Sequence, residues 1–105
     1  MSQLVDFGAA VNAAKQGKRI ARNGWNGKGM FVFERPADTL TTGFIVETVK
    51  SPPQSVKNYF KSQNDYHETV KFGSYLCMLA ADSSIVNGWL ASQTDILAED
   101  WTILD

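Results

Sequence analysis

The sequence predicts an α+β fold, a single compact domain in which a mostly antiparallel sheet carries two or three short helices. Three observations lead to this prediction. Short apolar runs alternate with glycine- and asparagine-rich turns, as in β-hairpins. Helix-capping patterns begin at Ser51 and at Ser92. Four apolar residues near the start recur with the spacing of one helix face: Phe7, Ala10, Val11 and Ala14.

Composition sets the general type of protein. The 105 residues are 44% hydrophobic and 20% charged, as in an ordinary globular protein. The formal net charge is −1 and no dense basic run is present, which disfavours duplex nucleic acid and membrane surfaces as partners. A small anionic ligand is compatible with this balance, because one or two cations and a few backbone N–H groups can bind it.

The number of cysteines and the N-terminal residues indicate the cellular compartment in which the protein is expected to act. Cys77 is the one cysteine, so an internal disulfide and a multi-cysteine metal site are excluded. A single thiol suits a reducing compartment. The start of the sequence shows no charged leader followed by an apolar run, so we expect a cytoplasmic protein.

The first third of the chain predicts a helix followed by a hairpin. Asp6 can cap a helix over about residues 7–16, and Gly17 suits its end. The hairpin strands are predicted at Lys18–Arg22 and at Met30–Phe33, the second of them stopped by a proline.

The rest of the chain alternates predicted strands with short helices. The first two are a strand at Gly43–Val49 and a helix opened by a Ser51–Gln54 capping box and ending near Ser62. The polar segment Gln63–Lys71 is expected to be a mobile loop or a frayed continuation of that helix. After it come a strand at Tyr75–Ala81, a turn at Asp82–Ser84, a partner strand at Ile85–Leu90, a short helix opened by a Ser92–Asp95 capping box, and a last strand at Trp101–Leu104. We expect both faces of Tyr75–Ala81 to be covered, because its run is nearly continuously apolar.

The stretch from Arg22 to Met30 is the most distinctive in the chain. Two turn dipeptides, Asn23-Gly24 and Asn26-Gly27, flank Trp25 and place a large aromatic side chain on a double turn. The stretch is not a P-loop, because Arg22 and Gly29 stand where that motif requires glycine and Ser or Thr.

Catalytic and metal-binding patterns are weak. His67 is the one histidine and lies in the predicted polar loop, whereas Cys77 lies within an apolar strand, so a buried inert thiol is favoured over a Cys–His pair. Asp65 and Glu68 beside His67 are typical of a solvated loop rather than a zinc site. We therefore expect no metal, no cofactor and no enzymatic activity.

Acidic residues cluster around the last short helix. Asp95 is most simply the capping partner of Ser92. Glu99 and Asp100 can pair with Arg19 or Arg22, or can hydrogen-bond a ligand. The residues alone leave these alternatives open.

The three tryptophans, Trp25, Trp89 and Trp101, all stand beside turns or caps. Aromatic side chains at loop ends can stack on purines, while nearby backbone donors contact phosphates. They can equally well form a core. The residue types and their positions alone leave both interpretations open.

Two segments carry a family resemblance. The first comprises Phe7–Ala10, Lys15–Lys18 and Arg22–Met30, and the second is the closing run Gly88–Trp101. Together they cover about a third of the chain and resemble the signatures of the second type of Thoeris anti-defence protein, a phage and prophage family of cyclic-nucleotide sponges. The segment from Thr39 to Phe72 matches loosely, so residues 1–105 are interpreted as one ligand-binding domain with a variable insertion at about 39–72.

The resemblance implies a function without catalysis. Members of that family bind a cyclic ADP-ribose isomer, the alarm signal of bacterial Thoeris systems, and keep it from the immune effector in the infected host. Some members also take up cyclic di- or trinucleotides, and the family assembles as homotetramers with ligand pockets at subunit interfaces. The Val56–Phe60 stripe and the alanine-rich first helix are natural surfaces for such an assembly.

The resemblance also implies a ligand site. Trp25 and Trp89 are expected to stack on adenine, with Phe7 as a third wall. The full set of expected ligand contacts is Phe7, Arg22, Gly24, Trp25, Asn26, Gly27, Lys28, Trp89, Ser92, Gln93 and Asp95. Of these, Gly24, Asn26 and Gly27 are assigned to the pyrophosphate, Arg22 or Lys28 to charge balance, and the last three to ribose and base edges. Trp101 and Cys77 are assigned to the core.

Two other functions compete with this one. A protein–protein inhibitor or structural phage accessory protein would use all three tryptophans as core and bind no nucleotide. A nucleotide-cleaving enzyme would show turnover.

Overall fold

The structure is a computed structural model that describes residues 3–25, 29–63 and 68–105. These ranges contain the helices α1 (Phe7–Lys15), α2 (Thr42–Glu47), α3 (Gln54–Ser62) and α4 (Gln93–Leu97), and the strands β1 (Ile20–Arg22), β2 (Phe31–Arg35), β3 (Asp38–Thr41), β4 (Thr69–Phe72), β5 (Tyr75–Leu79), β6 (Ile85–Asn87) and β7 (Trp101–Ile103). The predicted α+β class with a mostly antiparallel sheet is confirmed, with four helices in the described ranges rather than two or three.

The chain forms two compact units. Unit 1 comprises Met1–Pro36 and Tyr75–Asp105, and unit 2 comprises Ala37–Ser74. The segment predicted as a variable insertion, at about 39–72, falls inside unit 2. Its variability stays a prediction.

Unit 1 contains a five-stranded sheet in the order β6-β5-β2-β1-β7, with every neighbouring pair antiparallel. Strand β1 lies between β2 and the edge strand β7, and pairs with β2 at Ile20 and Val32 and with β7 at Arg22 and Trp101. The first and last thirds of the chain are thus joined in one sheet, and their pairing places distant residues at one end of it.

Helix α1 packs on one face of this sheet through small side chains. Ala10, Ala13 and Ala14 are buried and join a core cluster with Ile20, Val32, Met78 and Trp101. Alanine lets the helix backbone lie close to the sheet, where a larger side chain would have to be accommodated at a cost in packing strain. The prediction that this alanine face forms an oligomer surface is therefore wrong, since the face is buried within its own unit.

The predicted boundaries of α1 are confirmed by its caps. The side chain of Asp6 accepts a hydrogen bond from the Ala9 N–H at 2.9 Å. Gly17 follows the helix with φ of +90°, the left-handed conformation that glycine adopts without a steric penalty.

Unit 2 departs most from the prediction. Gly43–Val49 was predicted to be a strand, but Thr42–Glu47 is helix α2, whose N-terminus is capped by the Thr41 side chain. The buried residues Thr42 and Ile45 are three apart, which matches a helix face rather than an alternating strand. The strand lies just before it, at β3, and pairs with β4.

Two further predictions in unit 2 are wrong. Pro53, rather than Ser51, is the N-cap of α3, and it makes no side-chain capping bond. The predicted polar loop at Gln63–Lys71 gives way to strand β4 from Thr69 onward. The end of α3 at Ser62 is confirmed.

The second hairpin of unit 1 lies where it was predicted, but its strands are shorter, since β5 ends at Leu79 rather than Ala81 and β6 at Asn87 rather than Leu90. Cys77 and Met78, in the middle of β5, are buried, whereas Tyr75 at its start is 38% exposed, so coverage is limited to the centre of the strand. The turn to β6 is confirmed by Asp82, whose carboxylate accepts both the N–H and the hydroxyl of Ser84. Across the described parts of the chain, no helix has the length and apolar character to cross a membrane.

Candidate functional site

Four aromatic side chains meet where β1 ends and where β7 and α1 begin. Trp101 is fully buried, and its ring centroid lies 5.3 Å from those of Phe7 and Trp25 and 6.3 Å from that of Trp89. Trp25 and Trp89 contact each other edge to face at 6.2 Å. Trp101 is thus the centre of an aromatic cluster, as the core assignment predicted, and three residues expected at the site surround it.

An ion-pair network lies beside this cluster. The Arg22 guanidinium donates from Nε to Asp100 Oδ1 at 2.9 Å and from Nη1 to Asp95 Oδ1 at 3.0 Å. The side chains of Arg22 and Asp95 are 18% and 15% exposed, so the second pair is largely shielded from solvent. Of the alternatives left open for Asp100, pairing with Arg22 is the one observed, while Arg19 pairs with Asp105.

Helix α4 shares Asp95 with this network. Ser92 Oγ accepts from the Asp95 N–H at 3.1 Å, and Asp95 Oδ2 accepts from the Ser92 N–H at 3.2 Å, which completes the predicted capping box. The Asp95 carbonyl accepts from Trp101 Nε1 at 2.8 Å. One residue therefore connects the helix cap, Arg22 and the aromatic cluster.

The network favours the ionised carboxylates. The hydrogen bond from Arg22 is the main reason why the pKa of Asp100 lies below its ordinary value. For Asp95, burial is the largest single influence and raises the pKa, but hydrogen bonds from Ser92 and Arg22 together outweigh it and the net direction is downward.

These directions predict loss of stability in acid. Because the folded pKa values lie below the unfolded ones, the unfolded chain takes up more protons as the pH falls. The stabilisation is complete above the unfolded aspartate pKa of about 3.9 and is lost as the pH falls through the folded values. We expect the urea midpoint of the wild-type protein to fall from pH 5 to pH 3 more steeply than that of Asp100→Asn. Equal slopes for the two proteins would contradict this role of Asp100.

An open cleft of about 420 Å³ lies at the tip of the β1–β2 hairpin. Its lining residues come from β1, the following turn, the start of β2 and the end of the chain: Arg19, Ala21, Arg22, Asn23, Trp25, Gly29, Met30, Phe31, Thr102 and Leu104. The cleft thus combines two guanidinium groups, an amide and two aromatic side chains.

Arg19 is the more accessible of the two cations. Its guanidinium lies 5.1 Å from the Phe31 ring centroid and bonds Asp105 Oδ2 through Nη2 at 3.0 Å, with 45% of the side chain exposed. Arg22, by contrast, is largely buried between two carboxylates. Arg19 is therefore better placed than Arg22 to exchange its partner for a ligand anion.

The structure brings together part of the predicted site. Arg22 and Trp25 line the cleft, while Phe7 and Trp89 contact the aromatic cluster. Gly24, Ser92 and Asp95 belong to the network, and Gln93 is the exposed first residue of α4. Asn26, Gly27 and Lys28 lie outside the described residues. Their ligand roles stay predictions.

Several cleft residues were not anticipated. Arg19, Met30 and Phe31 flank the predicted turn, and alternation along the hairpin offered a signal for Arg19 and Phe31, since each is adjacent to a core residue and faces the opposite side. Thr102 and Leu104 offered no such signal, because their approach depends on the pairing of β7 with β1. Within the described ranges, no group of three or more His, Cys, Asp or Glu side chains is arranged to hold a metal.

Together, fold and site define a class of small α+β protein with an arginine- and aromatic-lined cleft at a hairpin tip. A family model described as the Thoeris anti-defense 2-like domain matches residues 5–104. The chain is also 35% identical over 104 residues to Thoeris anti-defense 2 of Bacillus phage SP01, with 99% of each chain covered. The chain belongs to the Thoeris anti-defense 2-like family, which gives it a role in phage anti-defence. The resemblance found in the sequence is confirmed.

Proposed function

We propose that this protein binds and sequesters a cyclic ADP-ribose signal of the Thoeris system without cleaving it, so that the immune effector is not activated. The observation that carries the proposal is the cleft at the β1–β2 tip, which places aromatic rings, an amide and an accessible guanidinium around one open volume. Family membership supplies the defence system in which such a ligand would occur.

The chemistry of the cleft matches the parts of such a nucleotide. Trp25 and Phe31 offer aromatic surface for adenine, and the Asn23 amide can donate to or accept from ribose and base edges. A volume of about 420 Å³ falls within the range of small-molecule pockets. The site therefore suits one nucleotide-sized ligand rather than a polymer.

Arg19 is the proposed pyrophosphate partner. It already holds a carboxylate through Nε and Nη2, and a phosphate group can accept the same pair of hydrogen bonds. Because the pair with Asp105 is exposed, its loss costs little. Stacking on Phe31 restrains the guanidinium before the ligand arrives, which lowers the entropy cost of binding.

Sequestration makes different demands from catalysis. A sequestering protein needs high affinity and slow dissociation, whereas an enzyme needs groups that stabilise a transition state. Under this proposal the ligand leaves the protein unchanged. Binding of cyclic di- or trinucleotides is a further part of the proposal and is tested in the same way.

The proposal includes a homotetramer with ligand pockets at subunit interfaces. Val56 and Tyr59 on α3 are 41% and 60% exposed and offer apolar surface for subunit contacts. Light scattering coupled to size exclusion should give four times the chain mass. A monomeric mass at micromolar concentration would count against this assembly.

Titration calorimetry with the Thoeris cyclic ADP-ribose isomer tests the function directly. We expect submicromolar binding, and nucleotide recovered intact after the complex is denatured by heat. A released product of different mass would favour a nucleotide-cleaving enzyme. No heat with this ligand or with cyclic di- and trinucleotides would favour the protein–protein inhibitor or structural accessory protein.

Two arginine variants test the placement of the ligand in the same titration. Arg19→Gln should raise the dissociation constant about tenfold, which corresponds to the free energy of one charge-assisted hydrogen bond. Arg35→Gln is the matched control, because Arg35 also stacks on an aromatic ring, that of Tyr75 at 5.6 Å, but does not line the cleft. Equal affinities for the two variants would show that the ligand does not contact Arg19.

A further inference from the structure

Asp100 accepts hydrogen bonds from three successive residues, Arg22, Asn23 and Gly24, which form the turn that leads to Trp25. The Asp100 side chain accepts from Arg22 Nε at 2.9 Å and from the Gly24 N–H at 3.0 Å. Its backbone carbonyl accepts from the Asn23 N–H at 2.8 Å. The Trp25 N–H in turn donates to the Arg22 carbonyl at 3.1 Å. The turn is thus attached to one residue that lies about 76 positions later in the chain.

The contact at Gly24 leaves little free space. A Cβ atom at this position would lie 3.1 Å from Asp100 Oδ2, closer than ordinary van der Waals contact. The φ of Gly24 lies outside the left-handed region, so a side chain at this position would disturb the close approach of the carboxylate rather than the backbone conformation.

We infer that Asp100 is a positioning residue for ligand binding: its carboxylate fixes the turn from Arg22 to Trp25, and thereby the Trp25 ring at the wall of the cleft. Trp25 lines the cleft next to residues of the same turn, so a shift of the turn changes the shape of the binding surface. The effect on affinity rests on the proposed function, whereas the effect on the turn does not.

By pairing with Arg22, Asp100 also affects which arginine side chain can form an ion pair with a ligand anion. Arg22 is neutralised by Asp100 and Asp95, two carboxylates for one guanidinium. The charge of Arg22 is therefore neutralised within the protein, and of the two described arginines that line the cleft, Arg19, whose partner Asp105 is exposed, is the one that a ligand anion can approach. This assignment changes the role expected for Arg22 from contact with the ligand to support of the turn.

The test uses Asp100→Asn, which keeps the size of the side chain but removes its charge and one of its acceptor oxygens. Amide hydrogen exchange of Gly24 reports the lost bond, and the Asn23 amide, which bonds the backbone of residue 100, is an internal control. Asp82→Asn is the matched variant, because Asp82 also accepts two hydrogen bonds in unit 1 but lies in the β5–β6 turn.

We expect Gly24 exchange in Asp100→Asn to accelerate about tenfold, as for loss of one hydrogen bond to a charged group, with little change at Asn23. The ¹⁹F resonance of Trp25 in protein labelled with fluorotryptophan should shift or broaden. Asp82→Asn should leave all of these signals unchanged. An unaltered Gly24 amide and Trp25 resonance in Asp100→Asn would overturn the inference.

Ligand titration separates this inference from the proposed function. If the wild-type protein binds the cyclic nucleotide, Asp100→Asn should bind it about tenfold more weakly at a temperature where both are folded. An unchanged affinity would overturn the positioning role in binding. If the wild-type protein binds no nucleotide, the proposed function fails while the exchange result still decides what Asp100 does to the turn.

Gly24→Ala provides a second variant in case Asp100→Asn does not fold. Its added methyl group meets Asp100 Oδ2 and forces the carboxylate to move, although both charges of the ion pair remain. It should reproduce the shift of the Trp25 resonance. A Trp25 resonance identical to that of the wild-type protein would argue against the inference even if Asp100→Asn could not be studied.

Discussion

Trp101→Ala is expected to lower the free energy of unfolding by about 3–5 kcal/mol, the usual cost of removing a large buried aromatic side chain. Trp101 is fully buried and contacts the rings of Phe7, Trp25 and Trp89. It also supplies the Nε1–H that satisfies the Asp95 carbonyl. A domain of this size has a total stability of about 5–15 kcal/mol, so the variant should lose a large fraction of it.

Urea denaturation followed by circular dichroism measures this loss. Trp101→Phe should fall between wild type and Trp101→Ala, because it keeps an aromatic ring but removes the Nε1–H that donates to the Asp95 carbonyl. Leu90→Ala is the control, since Leu90 is 89% exposed and such surface changes usually stay within about 0.5 kcal/mol. If Trp101→Ala were as stable as the Leu90 variant, the aromatic cluster could not be the centre of the core.

Trp25→Ala is expected to have the largest effect on ligand affinity. Stacking of one base on an aromatic side chain contributes about 1–3 kcal/mol, so the dissociation constant should rise by roughly 5- to 150-fold. Trp25 is the tryptophan that lines the cleft, and its edge contacts with Trp89 and Trp101 hold it in place.

The measurement is titration calorimetry at a temperature where each variant is folded. Trp89→Ala is the informative comparison, because Trp89 contacts Trp25 but does not line the cleft. We expect Trp89→Ala to weaken binding less than Trp25→Ala does. A larger loss in Trp89→Ala would place the ligand on the α4 side of the cluster.

Local chemistry explains which elements were predicted correctly. Asp6, Gly17 and the Ser92–Asp95 box act on neighbours within four residues, so their effects can be read without knowing the fold. The same holds for the turn at Asp82–Ser84. These elements formed where the sequence placed them.

The errors in unit 2 have the opposite origin. The run Gly43–Val49 is short and apolar, and such a run fits either a strand or a helix by periodicity. Strand β4 decides between them, because its pairing with β3 requires the extended segment to end at Thr41, where a helix cap is then available. The pairing joins residues about thirty positions apart, which no local pattern reports.

The candidate site also combines residues that local sequence patterns identified with residues that only the tertiary structure identified. The dipeptide Asn23-Gly24 before Trp25 marked one wall of the cleft, and the capping box marked Asp95, but the sequence left the partner of Arg22 open. That partner, Asp100, is brought to Arg22 by the pairing of β1 with β7. The same pairing brings Thr102 and Leu104 to the cleft.

The sequence by itself determined the α+β class, the caps of α1 and α4, the turn before Trp25 and the family, because each depends on residues close together in the chain or on whole signatures. The tertiary structure alone decided that the alanine face of α1 is core, that Arg22 is neutralised within the protein, and that Arg19 is accessible at the cleft. These properties depend on burial and ion pairing between strands about eighty residues apart, and strand register is set by packing of the whole sheet.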